Sequence, residues 1–120
     1  MIQGRISRWL VVLAYAGGIF WLSHQPDLSV PMPTVLNDKM CHAVEYAGFT
    51  TTLAMALAAG GSPLVLTRAA SLAVLYGLSD EYHQKFVRGR QSDLADVAAD
   101  AVGATSAGLA LALYRRRRRA

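Results

Sequence analysis

Asp38, His42 and Glu45 or Tyr46 recur every three to four residues, the spacing that stacks side chains on one face of a helix. Tyr76, Asp80 and His83 or Gln84 repeat the arrangement, with Glu81 beside them, and Asp93, Asp96 and Asp100 form a third stripe. Carboxylates and imidazoles projected from facing helices support two kinds of chemistry. In the first they ligate a divalent metal ion: Asp38, His42, Asp80 and His83 supply oxygen and nitrogen ligands suited to zinc or manganese, with Glu81 or Asp96 as the base on a bound water. In the second no metal is needed. His42 and Asp80 handle protons, while Arg88 and Arg90 hold a phosphate through their planar, bidentate forks. Glu45 belongs with the reacting groups in either case, and Lys39, Tyr46, Gln84, Ser92, Asp93 and Asp100 line the substrate side. A third reading is structural, with ion pairs Asp38–Lys39, Glu81–Lys85 and Asp96–Arg90 pinning helix ends. Cys41 beside His42 is a nucleophile by chemistry, but a lone cysteine in an apolar helix ordinarily packs.

The elements that carry these stripes are apolar. Of the 120 residues 53% are hydrophobic and only 17% charged, and the mean hydropathy is +0.28, which excludes an ordinary soluble domain and favours one membrane domain. Punctuation divides the chain into four segments, 6–23, 39–59, 64–84 and 93–114, each near the roughly 20 residues that cross about 30 Å of hydrocarbon as a helix. Pro26, Pro31 and Pro33 interrupt the first connection, Gly60-Gly61-Ser62-Pro63 makes the second, and Arg88-Gly89-Arg90 sits in the third, which ends on Ser92 or Asp93 as a helix cap. Small residues, among them Gly17 and Gly18, Ala54 to Ala59, and the Gly103/Ala107 and Ala104/Gly108 pairs, allow close helix packing. The expectation is an all-α, four-transmembrane-helix bundle. The N-terminal apolar run is too long past Ala14-Tyr15-Ala16 for a cleaved signal peptide and reads as an anchor.

If the segments alternate across a bilayer, Arg5, Arg8, Arg68 and Arg115 to Arg119 share one side, against Lys39, Lys85, Arg88 and Arg90 on the other. Eight cations against four put both termini in the cytoplasm, with 115–120 as an arginine-rich cytoplasmic tail that anchors at the membrane rather than binding nucleic acid. The same assignment sends all eight carboxylates, Asp27 included, and His24, His42 and His83 to the outer half. Ionised groups about two turns deep, such as Glu45 and Asp100, must then turn away from lipid and toward one another in a shared polar cavity that opens outside. A single cysteine excludes an intrachain disulfide.

Trp21-Leu22-Ser23-His24-Gln25-Pro26, Asp38-Lys39 with His42 and Tyr46, Ser79-Asp80-Glu81 with Gln84, Arg88-Gly89-Arg90, and Ser92 with Asp96 and Gly103 resemble the VanZ family of bacterial membrane proteins, in order from Trp21 to Gly108. Two positions depart from the family pattern: Asp100 where relatives often carry asparagine, and Arg88 where proline commonly precedes the loop glycine. The resemblance implies a multi-pass protein of the bacterial inner membrane, associated with low-level teicoplanin resistance. Together with the site it leads to an expected function: binding, and chemical modification, of an anionic lipid-linked envelope head group such as a polyprenyl phosphate. Two alternatives stand beside it, a non-catalytic protein that limits lipoglycopeptide access and a small transporter subunit.

Overall fold

Ser62 and Asp93 each open a helix by the same device. In extended backbone conformation, the Ser62 hydroxyl accepts from the Val65 N–H and the Asp93 carboxylate from the Ala95 N–H, and Pro63 follows Ser62 where a missing N–H is harmless. The computed structural model describes residues 2–26, 35–57 and 62–120. It is all-α, with α1 Ile2–His24, α2 Val35–Leu57, α3 Pro63–Gln84 and α4 Leu94–Arg119, and no strand among the described residues. Asp27, Pro31, Pro33, Ala58, Ala59, Gly60 and Gly61 lie outside them.

Three bounds differ from the sequence expectation for one reason: counting apolar residues stops at charge, whereas a helical backbone does not. α1 begins at Ile2, four residues before residue 6, and takes in Arg5. α2 begins four residues before Lys39 and carries Asp38 in its first turn. α4 continues through the arginine block to Arg119, so the expected tail is helical. Arginine is a good helix former, and cations in the last turn suit the negative end of the helix dipole.

The helices alternate in direction. Tyr15 of α1 meets Glu45 of α2, Ala16 and Ser23 of α1 meet Tyr76 and Gln84 of α3, and Lys39 and His42 of α2 meet Asp96 and Asp100 of α4. α4 packs on α2 and α3, and α1 on α2 and α3. The end of α1, the start of α2, the end of α3 and the start of α4 thus share one end of the bundle. Phe49 is the aromatic node, with ring centroids 5.6 Å from Tyr15, 6.2 Å from Tyr46 and 5.2 Å from Tyr76.

α2 and α4 come together backbone to backbone. A Cβ built on Gly103 would overlap the Ala43 carbonyl, and Ala104 beside it is fully buried. Gly17 and Gly18, expected to serve close packing, meet nothing within 4 Å. α1 is held instead by two tyrosine hydroxyls: Tyr15 donates to the Glu45 carbonyl at 2.7 Å and Tyr76 to the Ala16 carbonyl at 2.6 Å. Tyr76→Phe is expected to remove about 1 kcal/mol of stability, read as an earlier thermal unfolding in detergent; an unshifted transition would show that the bond holds nothing.

The polarity of the bundle is inverted. Asp80, Glu81, Gln84, Asp96 and Asp100 are buried, whereas Leu10, Leu13, Leu72, Leu75, Val102 and Leu109 are exposed. α1 and α4 are long and apolar enough to cross a membrane; α2 and α3 interrupt their apolar surfaces with the charged stripes.

Candidate functional site

The three stripes meet at the shared end. α2 begins there with Lys39 on its inner edge, and one turn later His42 points toward α4. The imidazole donates from Nδ1 to Asp100 Oδ1 at 2.9 Å, while its Nε2 lies 3.8 Å from Asp96 Oδ2. A carboxylate only accepts, so Nδ1 carries the proton in this pair. Asp100 is 1% exposed, since it faces Gly77 of α3, where a Cβ would come within 2.7 Å of its Oδ2. Gly77 therefore makes room for the carboxylate two turns into α4.

Lys39 Nζ bonds Asp96 Oδ1 and Asp93 Oδ2, the latter at 3.0 Å, and stands 3.9 Å from Asp38 Oδ2. The Ala95 N–H, with Lys39 second, holds the exposed Asp93 carboxyl below the usual carboxylate range. Asp38 is exposed at the mouth of the cluster. It forms a group with His42 and Asp96 in which one ligand atom from each lies within 4.8 Å of the others.

Glu81 closes the cluster from α3. Its Oε2 accepts from the Asp93 N–H at 2.8 Å and the Ser92 hydroxyl at 3.2 Å, tying the end of α3 to the start of α4. Its Oε1 is buried and finds no hydrogen-bond partner among the described residues. The expected Glu81–Lys85 ion pair is replaced by these bonds, because Glu81 turns inward at 3% exposure while Lys85 lies outside over the Tyr82 ring. The expected Asp96–Arg90 pair is likewise replaced. Arg90 donates from Nε to the Gln25 carbonyl at 2.9 Å and from Nη2 to the Leu22 carbonyl at 2.7 Å. The Leu22 carbonyl, in the last turn of α1, also accepts from the Gln25 N–H at 3.3 Å, and Gln25 follows the helix, so Arg90 ties the end of α1 to the third connection. Arg88 is exposed beside Gly89, whose φ of 81° the turn requires.

The remaining expected residues fall around a second centre on the α1–α3 side. Ser23 accepts from Gln84 Nε2 at 3.0 Å, and Asp80, one turn before Gln84 on α3, is buried on the same side. His83 Nε2 is 3.2 Å from His24 Nδ1, and the two rings stack with Phe20 against His83 at 4.7 Å. Of the expected metal set, Asp38 and His42 therefore come together with Asp96, whereas Asp80 and His83 belong to this other side. Glu45 lines an apolar groove between α1 and α2, with Tyr15, Leu22 and Val44. Tyr46 is fully buried, and its hydroxyl has no hydrogen-bond partner among the described residues.

Ser23, Tyr15 and Thr50 are site or core residues for which sequence reasoning found no role. Ser23 stands inside the Trp21–Pro26 run that carries the resemblance, one helical face from Phe20 and His24, and that placement was its only signal. Thr50 is fully buried with an unpartnered hydroxyl, and as the first of three consecutive threonines it carries no sign that sets it apart from Thr51 and Thr52, whose hydroxyls bond helix carbonyls.

Four helices with a polar interior at one end, beneath an apolar exterior, define an α-helical membrane protein. The sequence profile of the VanZ/LLP1 family matches residues 8–115, and the chain belongs to that family. Comparisons with curated proteins and with solved structures each find no match.

Proposed function

We propose that all four helices cross the bacterial cytoplasmic membrane, with both termini in the cytoplasm, and that the polar end, outside, binds the anionic head group of a lipid-linked envelope phosphate such as a polyprenyl phosphate. The observation that carries this reading is the inverted polarity. α2 and α3 expose Met40, Val44, Met55, Leu64, Leu72, Leu75 and Leu78 while Asp80, Glu81, Asp96 and Asp100 are shielded. Exposed apolar surface on every helix is costly in water and favourable in lipid, and intramembrane charges ordinarily face the bundle interior. The eight cations at the opposite end support the orientation through the positive-inside rule. A head-group site fits the polar end because Arg88 is exposed there, the outer leaflet supplies lipid phosphates, and the α1–α2 groove offers an apolar wall of about 950 Å³ for a tail. Occupancy of such lipids at the outer leaflet would account for the teicoplanin resistance that the VanZ resemblance implies.

Purified protein in nanodiscs is expected to retain a fluorescent polyprenyl phosphate saturably and the matching polyprenol weakly. Arg88→Ala should weaken the phosphate lipid about tenfold, the loss of one charge-assisted contact. Equal retention of phosphate and alcohol would remove the head-group reading. Ser92→Cys in a Cys41→Ala background is expected to react with an impermeant maleimide on intact cells; reaction only after lysis would reverse the orientation.

A further inference from the structure

We propose that Asp38, His42 and Asp96 bind a divalent transition-metal cation at the mouth of the polar end, with Asp100 positioning the histidine. Three observations lead there. Asp100, itself nearly inaccessible, takes the Nδ1–H of His42 at 2.9 Å. That bond leaves Nε2 on the side where Asp96 Oδ2 stands 3.8 Å away, so that a metal ion taken up there would displace the Nε2 proton. A carboxylate on one ring nitrogen and a metal on the other is the usual outer-shell arrangement of a ligating histidine, because it sets the tautomer and raises basicity.

The second observation is the spacing: one ligand atom each from Asp38, His42 and Asp96 lies within 4.8 Å of the others, a span that small side-chain adjustments close around an ion about 2.1 Å from each ligand. The third is Glu81. Its Oε1 is buried without a hydrogen-bond partner among the described residues, while its Oε2 is fixed by the N–H of Asp93, one turn before Asp96. A buried carboxylate oxygen without a partner at this end of the bundle is a place where an ion or its bound water is accommodated.

Charge argues the same way. Asp38, Asp93, Asp96, Asp100 and Glu81 converge, and Lys39 is the cation the cluster already holds, bonded to Asp93 and Asp96. Lys39 is thus the internal competitor of an added ion. A mixed nitrogen and oxygen set suits manganese or zinc more than magnesium or calcium, which favour oxygen alone. The inference deepens the head-group reading and rests on it for its biological purpose: with Arg90 committed to α1 carbonyls, a cation supplies the positive charge that a phosphate needs among these carboxylates.

The test is titration of metal-stripped protein in nanodiscs without added lipid ligand, using Mn²⁺ followed by electron paramagnetic resonance and Zn²⁺ by calorimetry. One ion per chain is expected. Asp38→Asn, at an exposed position that leaves the buried packing in place, and Asp96→Asn should each weaken it at least tenfold, and Asp100→Asn by about 10–100-fold. Lys39→Met should tighten it. Absence of stoichiometric binding, or binding that Asp38→Asn and Asp96→Asn leave unchanged, overturns the proposal. The two readings fail separately. Unchanged retention of polyprenyl phosphate in chelator would defeat the cation bridge and spare the head group, whereas a bound ion with no phosphate preference would do the reverse.

Discussion

Asp100→Ala is expected to lower the stability of the bundle by about 3–5 kcal/mol, the cost of removing one member of a buried ionic pair and leaving the other behind. Asp100 is 1% exposed and anchors His42 at 2.9 Å. Without it the imidazole keeps Asp96 Oδ2 at 3.8 Å and loses the acceptor that holds its proton. The space vacated against Gly77 and Tyr46 adds a cavity term. Asp100→Asn, which keeps shape and one acceptor, is expected to lose less. The informative measurement is a double-mutant cycle with His42→Ala in detergent unfolding. Coupling of about 0.5–3 kcal/mol is expected for residues in direct contact. A cycle that closes with no coupling would show the two side chains to be neighbours without a shared energetic role.

Gly103→Ala carries the second large effect. Its added methyl would overlap the Ala43 carbonyl, which is backbone and cannot rotate away as a side-chain tip does. α2 and α4 must separate to admit it, at about 1–3 kcal/mol or more. Separation also lengthens every contact between the α2 and α4 stripes, so the Lys39–Asp96 and His42–Asp100 pairs weaken with it. Gly17→Ala and Gly18→Ala serve as controls. Neither position meets anything within 4 Å, so each is expected to be neutral or to stabilise α1 by up to about 1 kcal/mol through helix propensity. Equal effects at positions 103 and 17 would remove the case for close α2–α4 packing.

Much of the architecture was readable from local pattern. Four apolar runs separated by proline and glycine clusters announced four helices; of the two cap candidates Ser92 and Asp93 the structure uses Asp93, while Ser62, read only as part of a turn, caps α3. The bounds failed where charge lies inside a helix, at Arg5, at Asp38 and through Arg115–Arg119, because backbone hydrogen bonds continue regardless of side-chain polarity. Spacing also put Asp38 and His42 on one face, with Tyr46 below them.

Which stripe members touch was not readable. Helical periodicity assigns a residue to a face of its own helix, but the rotation and offset of one helix against another depend on how their surfaces interlock. Contact of Gly103 with the Ala43 backbone sets that offset for α2 and α4, and it is what brings His42 to Asp96 and Asp100 rather than to Asp80. Arg90 illustrates the same limit. Its type and loop position suit a phosphate, yet the carbonyls of Leu22 and Gln25, remote in sequence, take two of its nitrogens. Composition, periodicity and the order of charges along the chain determined that helices would form and that the acids would gather at one end. Tertiary packing alone decided which acid holds the histidine, which lysine they share and which arginine stays free at the surface, since those outcomes depend on ångström distances between segments that no local pattern encodes.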